Sequence, residues 1–122
     1  MAQMPHFDDL EIRSASTRAA DMAIALPQQI ARAQALSGYA GSLDGVDPAS
    51  VTSAGDLAKL PVLRKSEIGK QQALSSPFGG FTTRPAHAFT HIFQSPGPIY
   101  EPSSTAPDWW RMGRVLHAVG IG

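Results

Sequence analysis

Two histidines, His87 and His91, stand out first in this 122-residue chain for what their spacing could do. On a helix, side chains at i and i+4 share a face, and two imidazoles there could meet one metal ion. The surrounding run, Ala86 to Gln94, argues otherwise. It alternates, with His87, Phe89, His91 and Phe93 on one face of a strand and Ala88, Thr90 and Ile92 on the other. On a strand the two rings stand about 13 Å apart, four steps of about 3.3 Å, too far to share an ion. With no Cys and no carboxylate pair nearby, no metal site is expected. His6 and His117 belong to no recognisable motif and read as surface or core-edge residues. Lys59, Arg64, Lys65 and Lys70 form a basic stretch. Ten basic residues are balanced by ten acidic ones, so this stretch reads as a solvated face. A formal net charge of zero argues against nucleic acid or an anionic membrane as partner. The absence of Cys removes disulfide and thiolate chemistry and fits a reducing, cytoplasmic setting.

The elements that position these residues centre on His91 to Pro102. An alternating run enters, Ser95-Pro-Gly-Pro98 turns, and Ile99-Tyr100 continues in β conformation. Pro at the second place and Gly at the third fit a type II turn. Pro98 has no N–H, so an open turn is expected, and the strands need not form a tight hairpin. Pro102 to Thr105 reads as spacer. Thr105 then caps a helix over Pro107–Val119, whose Trp109, Trp110, Met112, Val115, Leu116 and Val119 cover most of its girth.

Before the hairpin the chain reads as helix and loop. Ser14 or Ser16 caps a long helix over Ser16–Ser37, with Ala20, Ala23, Ile24, Pro27, Ile30, Ala31 and Gln34 at helical spacing. Met22, Leu26 and Ala33 widen its apolar stripe. That stripe reads as core packing, with a groove-binding ligand as the alternative. Pro27 is expected to kink or split the helix, and Gly38 to end it. Short helices follow over Ala54–Leu60, capped by Ser53, and from a Ser66 cap through Ala73. Pro77-Phe-Gly-Gly-Phe81 reads as a loop with two apolar anchors. The fold class is thus α+β, mainly helical, with one pair of short strands. Residues 1–122 read as a single segment with no secretory signal, no spanning run and no internal repeat.

Three stretches, in order and spacing as well as residue type, resemble the amino-terminal portion of the phenylacetate–coenzyme A ligase family. That family belongs to the AMP-forming adenylating superfamily. The first stretch is Gly45-Val-Asp47 with Ser53-Ala-Gly-Asp-Leu-Ala-Lys-Leu-Pro-Val62 and Arg64-Lys-Ser-Glu-Ile68. The second is Pro77-Phe-Gly-Gly-Phe81. The third is His91 to Pro102 with the amphipathic helix that ends near Gly120. The resemblance implies the start of the α/β large domain of an adenylate-forming enzyme. It implies ATP-dependent adenylation of a carboxylate, then thioester formation with coenzyme A, in the catabolism of aromatic acids. ATP, Mg and coenzyme A are the cofactors of the full-length family.

The family's phosphate loop reads Ser-Ser-Gly-Thr-Thr-Gly-Lys-Pro and falls on Ser95-Pro-Gly-Pro-Ile-Tyr-Glu-Pro102. Ser95, Gly97 and Pro102 agree with it, while Tyr100 and Glu101 depart. Pro96, Pro98 and Pro102 lack the N–H groups such a loop presents to an anion, and Ile99 replaces a hydroxyl. Glu101 stands in the lysine position, a change of sign unfavourable to phosphate by on the order of a few kcal/mol. The chain holds none of the family's later adenine-binding and catalytic-lysine motifs, so no catalytic residue is assigned. The expectation is an amino-terminal fragment that is inactive alone and binds no cofactor tightly. Its partner is then the remainder of a ligase domain or a second copy, because Trp109, Trp110, Leu116, Ile121 and a strand edge near Phe93 are left uncovered. A free-standing helical interaction module is the alternative.

Overall fold

The computed structural model describes residues 5–121. Ser14 begins the first helix, α1 (Ala15–Gln34), its hydroxyl accepting from the Thr17 N–H at 3.0 Å. The helix runs through Pro27 unsplit. It stops before the expected Ser37 because Leu36 is extended, and α2 (Ser37–Ala40) starts a new turn. Gly38 is therefore not a stop signal. It is a close-approach point: its N–H donates to Gly80 O at 3.0 Å, and a Cβ there would lie 2.6 Å from the Phe81 ring. From Gln34, the side-chain amide donates to the Leu43 and Val46 carbonyls at 3.0 and 2.7 Å, tying the following loop to α1. Toward the middle and end of α1, Met22, Leu26, Pro27, Ala33 and Gln34 are half-buried and Ile30 is buried. Ala20, Ala23, Ile24 and Ala31, expected on the packed stripe, face out.

Asp47 caps a 3-10 turn at Pro48–Ser50 through the Ala49 N–H. Helix α3 (Ala54–Leu57) is shorter than expected, but Ser53 caps it, accepting from the Asp56 N–H at 3.2 Å. Next, α4 (Lys65–Leu74) begins one residue before the expected Ser66 cap. Arg64 holds the cap position, and its backbone N–H donates to the Glu67 carboxylate at 3.4 Å. Ser76–Pro77 is cis, and Phe78 beyond it is buried against Phe89, ring edge to face at 5.4 Å.

Ala86–Gln94 is not one strand. Pro85 leads into a 3-10 turn at Ala86–Ala88, and pairing begins only at His91. Phe89, packed on Phe78 with the Arg84 guanidinium 5.8 Å above its ring, fixes that bend. Strands β1 (His91–Ser95) and β2 (Ile99–Ser103) then pair antiparallel, from Ser95 with Ile99 to His91 with Ser103. Pro98 has no N–H, so the Ser95–Pro98 turn is open as expected, yet the strands pair directly beyond it at Ser95 and Ile99. Pro102 and Ser103 also belong to β2 rather than to a spacer.

The last helix, α5, spans only Gly113–Ala118. Its expected first half is turn, because Asp108 and Arg111 adopt φ of 49° and 57°, which no helix accommodates. The Asp108 carboxylate instead accepts from the Gly113 N–H at 2.8 Å, at the start of α5. This unwinding sends the tryptophans apart: Trp110 meets Phe93 edge to face at 5.6 Å, while Trp109 turns toward α1 and the α3–α4 linker. Phe7 lies against Gly113 and His117, and Arg114 grips Asp8 with two contacts at 3.0 and 2.9 Å.

Burial is sparse. Ile30, Leu43, Val51, Phe78 and Ile99 are the buried hydrophobic side chains among the described residues. The accessible surface is 8718 Å². A folded monomer of 12.9 kDa presents about 6,300 Å² by the usual area–mass scaling. The helices and hairpin thus leave much apolar surface uncovered.

Candidate functional site

Ser95 and Gly97 lie at the hairpin turn, while Tyr100, Glu101 and Pro102 lead away from it along β2, opposite Gln94, Phe93 and Ile92. Gly97 has φ of 132°, open only to glycine, and no neighbour lies within 4 Å of where its Cβ would be. Its requirement is conformational. Ser95 Oγ donates to the Ile99 carbonyl at 3.5 Å, across the turn.

Tyr100 sets the parity of the ladder. Its N–H donates to Gln72 Oε1 and its carbonyl accepts from Gln72 Nε2, both at 2.9 Å. Both groups therefore point away from β1, and Gln94–Tyr100 is a non-hydrogen-bonded pair. By alternation, Ile92–Pro102 is another, which is the position where a missing N–H costs the ladder nothing. The Ile99 and Glu101 N–H groups point inward, to β1. Of the turn's backbone donors, Gly97 N–H alone has no partner among the described residues. An anion cradle requires several converging donors; one N–H between Pro96 and Pro98 does not make one. Among the described residues no ion pair reaches Glu101, whose side chain shares a sheet face with Phe93.

Gln72 was not singled out in the sequence. It is buried, and with its two bonds the helix α4 grips β2 as a neighbouring strand would. A lone glutamine in a helix with no strong apolar face carries no sequence signal for that role.

His87 sits in the 3-10 turn and His91 opens β1, so the two do not share one strand as expected. The His91 ring stacks on Phe93 at 6.0 Å. Among the described residues no three His, Asp or Glu side chains converge as metal ligands would. Arg64, Lys65 and Lys70 are exposed, and Lys59 pairs with Asp56 at 2.9 Å.

The feature sequence reasoning missed is an open groove of about 900 Å³ between α1, the α3–α4 linker and Phe81–Phe89. Ile30, Leu36, Leu60, Phe89 and Trp109 make most of its wall apolar, and Arg32 is the cation at its rim. That volume suits a small molecule or a short inserted segment. No periodicity in the sequence could reveal it, because its walls come from five separate stretches.

Two carboxylates have displaced titrations. Hydrogen bonds from Ser53, Lys59 and the Thr52 N–H hold Asp56 well below the usual carboxylate range. At Asp8, partial desolvation favours the protonated form, but the Arg114 hydrogen bond and charge outweigh it and lower its pKa. Both groups brace structure, at the α3 cap and at the N-terminal segment. Among the described residues no helix is long and apolar enough to cross a membrane. Comparison with protein-family models, curated proteins and solved structures finds no match.

Proposed function

We propose that this chain is the amino-terminal segment of a phenylacetate–coenzyme A ligase-like protein and serves there as scaffold, without adenylating alone. One observation carries the reading: surface in excess of a folded monomer's by roughly 2,400 Å², with many large apolar side chains left exposed. Trp109, Trp110, Leu116 and Ile121 are each at least 40 % exposed, as expected of faces that pack on the rest of a larger domain. The ordered motifs around Gly45–Ile68, Pro77–Phe81 and His91–Pro102 supply the family. The hairpin turn occupies the phosphate-loop position, with Glu101 where the family has lysine. ATP, Mg and coenzyme A would be held by the complete ligase domain, with residues this chain does not contribute.

A second reading is favoured by the groove. An apolar trough rimmed by Arg32 suits a helical interaction module that receives a partner segment. The extent of the encoding reading frame separates the two. A frame continuing past Gly122 into adenine-binding and catalytic-lysine motifs supports the ligase reading; a frame closing at Gly122 supports the module. A pyrophosphate-release assay with phenylacetate, ATP and Mg²⁺ tests the scaffold role, and turnover by the 122-residue chain would overturn it.

A further inference from the structure

The two edges of the hairpin differ. The outer edge of β2 is closed twice, by Gln72 on both backbone groups of Tyr100 and by Pro102, which has no N–H. The outer edge of β1 is open. Its outward groups are the N–H and C=O of Ile92 and Gln94, and none has a hydrogen-bond partner among the described residues. Ile92 and Phe93 are each 46 % exposed, so both faces of β1 are accessible beside the edge. An open edge of this kind is a template for another strand.

The geometry points to a second copy of this chain as the occupant, with β1 pairing antiparallel to β1 about a twofold axis through Phe93. Such an axis requires that outward groups meet outward groups. Centred on Phe93, it sets Ile92 opposite Gln94 of the second copy and Gln94 opposite Ile92, each a hydrogen-bonded pair. Phe93 then faces Phe93 of the second copy in a non-hydrogen-bonded pair, the closer kind, with Trp110 packed beside it. The register is self-complementary without a shift.

Charge permits it. His91–Ser95 contains no acidic residue and no Lys or Arg, and His91 comes to lie opposite a serine. The nearest acidic side chains on that sheet face, Glu101 and its copy, are three strand spacings apart, about 14 Å. That exceeds the screening length of about 8 Å at physiological salt, so their repulsion is weak. Two two-stranded sheets become one of four strands. Because both outer edges are then β2 edges, closed by Gln72 and Pro102, growth stops at the dimer. This inference needs only the strand edge and is independent of the ligase reading.

Sedimentation equilibrium of the chain as written, with cross-linking, tests it. The native chain has no Cys, so a single introduced thiol reports alone. Phe93→Cys is expected to form a disulfide dimer under mild oxidation, since the paired Cβ atoms come within about 5 Å. Gln94→Cys is expected not to, because its copy lies a diagonal step of about 7–8 Å away. Gln94→Pro removes an outward donor from each copy while leaving the β1–β2 ladder its bonds, and should weaken the dimer at least about tenfold. If Gln94→Pro also disturbs folding, the cysteine pair still decides. A chain that stays monomeric at millimolar concentration, open-ended assemblies, or Gln94→Cys cross-linking faster than Phe93→Cys would each overturn the proposal.

Discussion

Replacing Gln72 by leucine should free the hairpin from α4. Gln72 is 7 % exposed and makes two bonds of 2.9 Å to the N–H and C=O of Tyr100. Leucine has similar bulk and no polar atoms, so apolar burial is kept while both bonds are lost. At a net 0.5–1.5 kcal/mol each, the cost is about 1–3 kcal/mol. With so few buried side chains, that is a large part of what holds β2 in place. The assay is amide hydrogen exchange at Tyr100, which should speed up about 5-fold to 150-fold. Gln72→Glu separates the two bonds. Its carboxylate still accepts from the Tyr100 N–H but faces the Tyr100 carbonyl with an oxygen, so docking should fail at neutral pH. Protonation restores an O–H donor, so docking should return on acidification. Unchanged exchange in Gln72→Leu would refute the view that this amide acts as a surrogate strand.

Gly38→Ala should destabilise the chain by about 1–3 kcal/mol in urea unfolding, because the new methyl meets the Phe81 ring at 2.6 Å and the Gly79 carbonyl at 2.9 Å. Gly41→Ala, with nothing within 4 Å, is the neutral control. Asp56 has a depressed pKa, so the stability it contributes is complete above the ordinary Asp value near pH ~4 and is lost as pH falls through the lower folded value. An acid titration followed by circular dichroism should lose that dependence in Asp56→Asn. Arg114→Ala breaks the contacts to Asp8, so limited proteolysis between Phe7 and Ile12 should accelerate while the midpoint of global unfolding moves little.

Local chemistry was legible in the sequence, and long-range geometry was not. Ser14 and Ser53 announce helix starts because a hydroxyl before a helical run has one efficient use, the free N–H groups beyond it. Gly97 likewise marks its turn, where only glycine adopts the required φ. Gly38 misleads because the same residue type serves a different need, the approach of Phe81 and Gly80 from more than forty positions along the chain. The C-terminal helix fails for a related reason. Trp109 to Val119 has helical apolar spacing, yet Phe93 draws Trp110 to the hairpin while Trp109 faces the groove, and Asp108 and Arg111 leave the helical region. Pro98 marks the turn as open, but it does not decide whether the strands pair beyond it; the Ser95–Ile99 pair closes the hairpin one step outside the turn. In the candidate site, the residues of the turn were identified, but their parity was fixed by Gln72, a contact no local pattern encodes.

The most direct test of the scaffold reading is calorimetric titration of the chain with ATP and Mg²⁺, in the native sequence and in Glu101→Lys combined with Pro98→Thr. The native turn offers Gly97 N–H alone, with Glu101 beside it, and should give no heat of specific binding. The double variant restores a cation and a donor, and a weak signal from it marks the turn as a decayed phosphate cradle. Micromolar ATP binding by the native chain, unchanged by Glu101→Lys, would contradict the account.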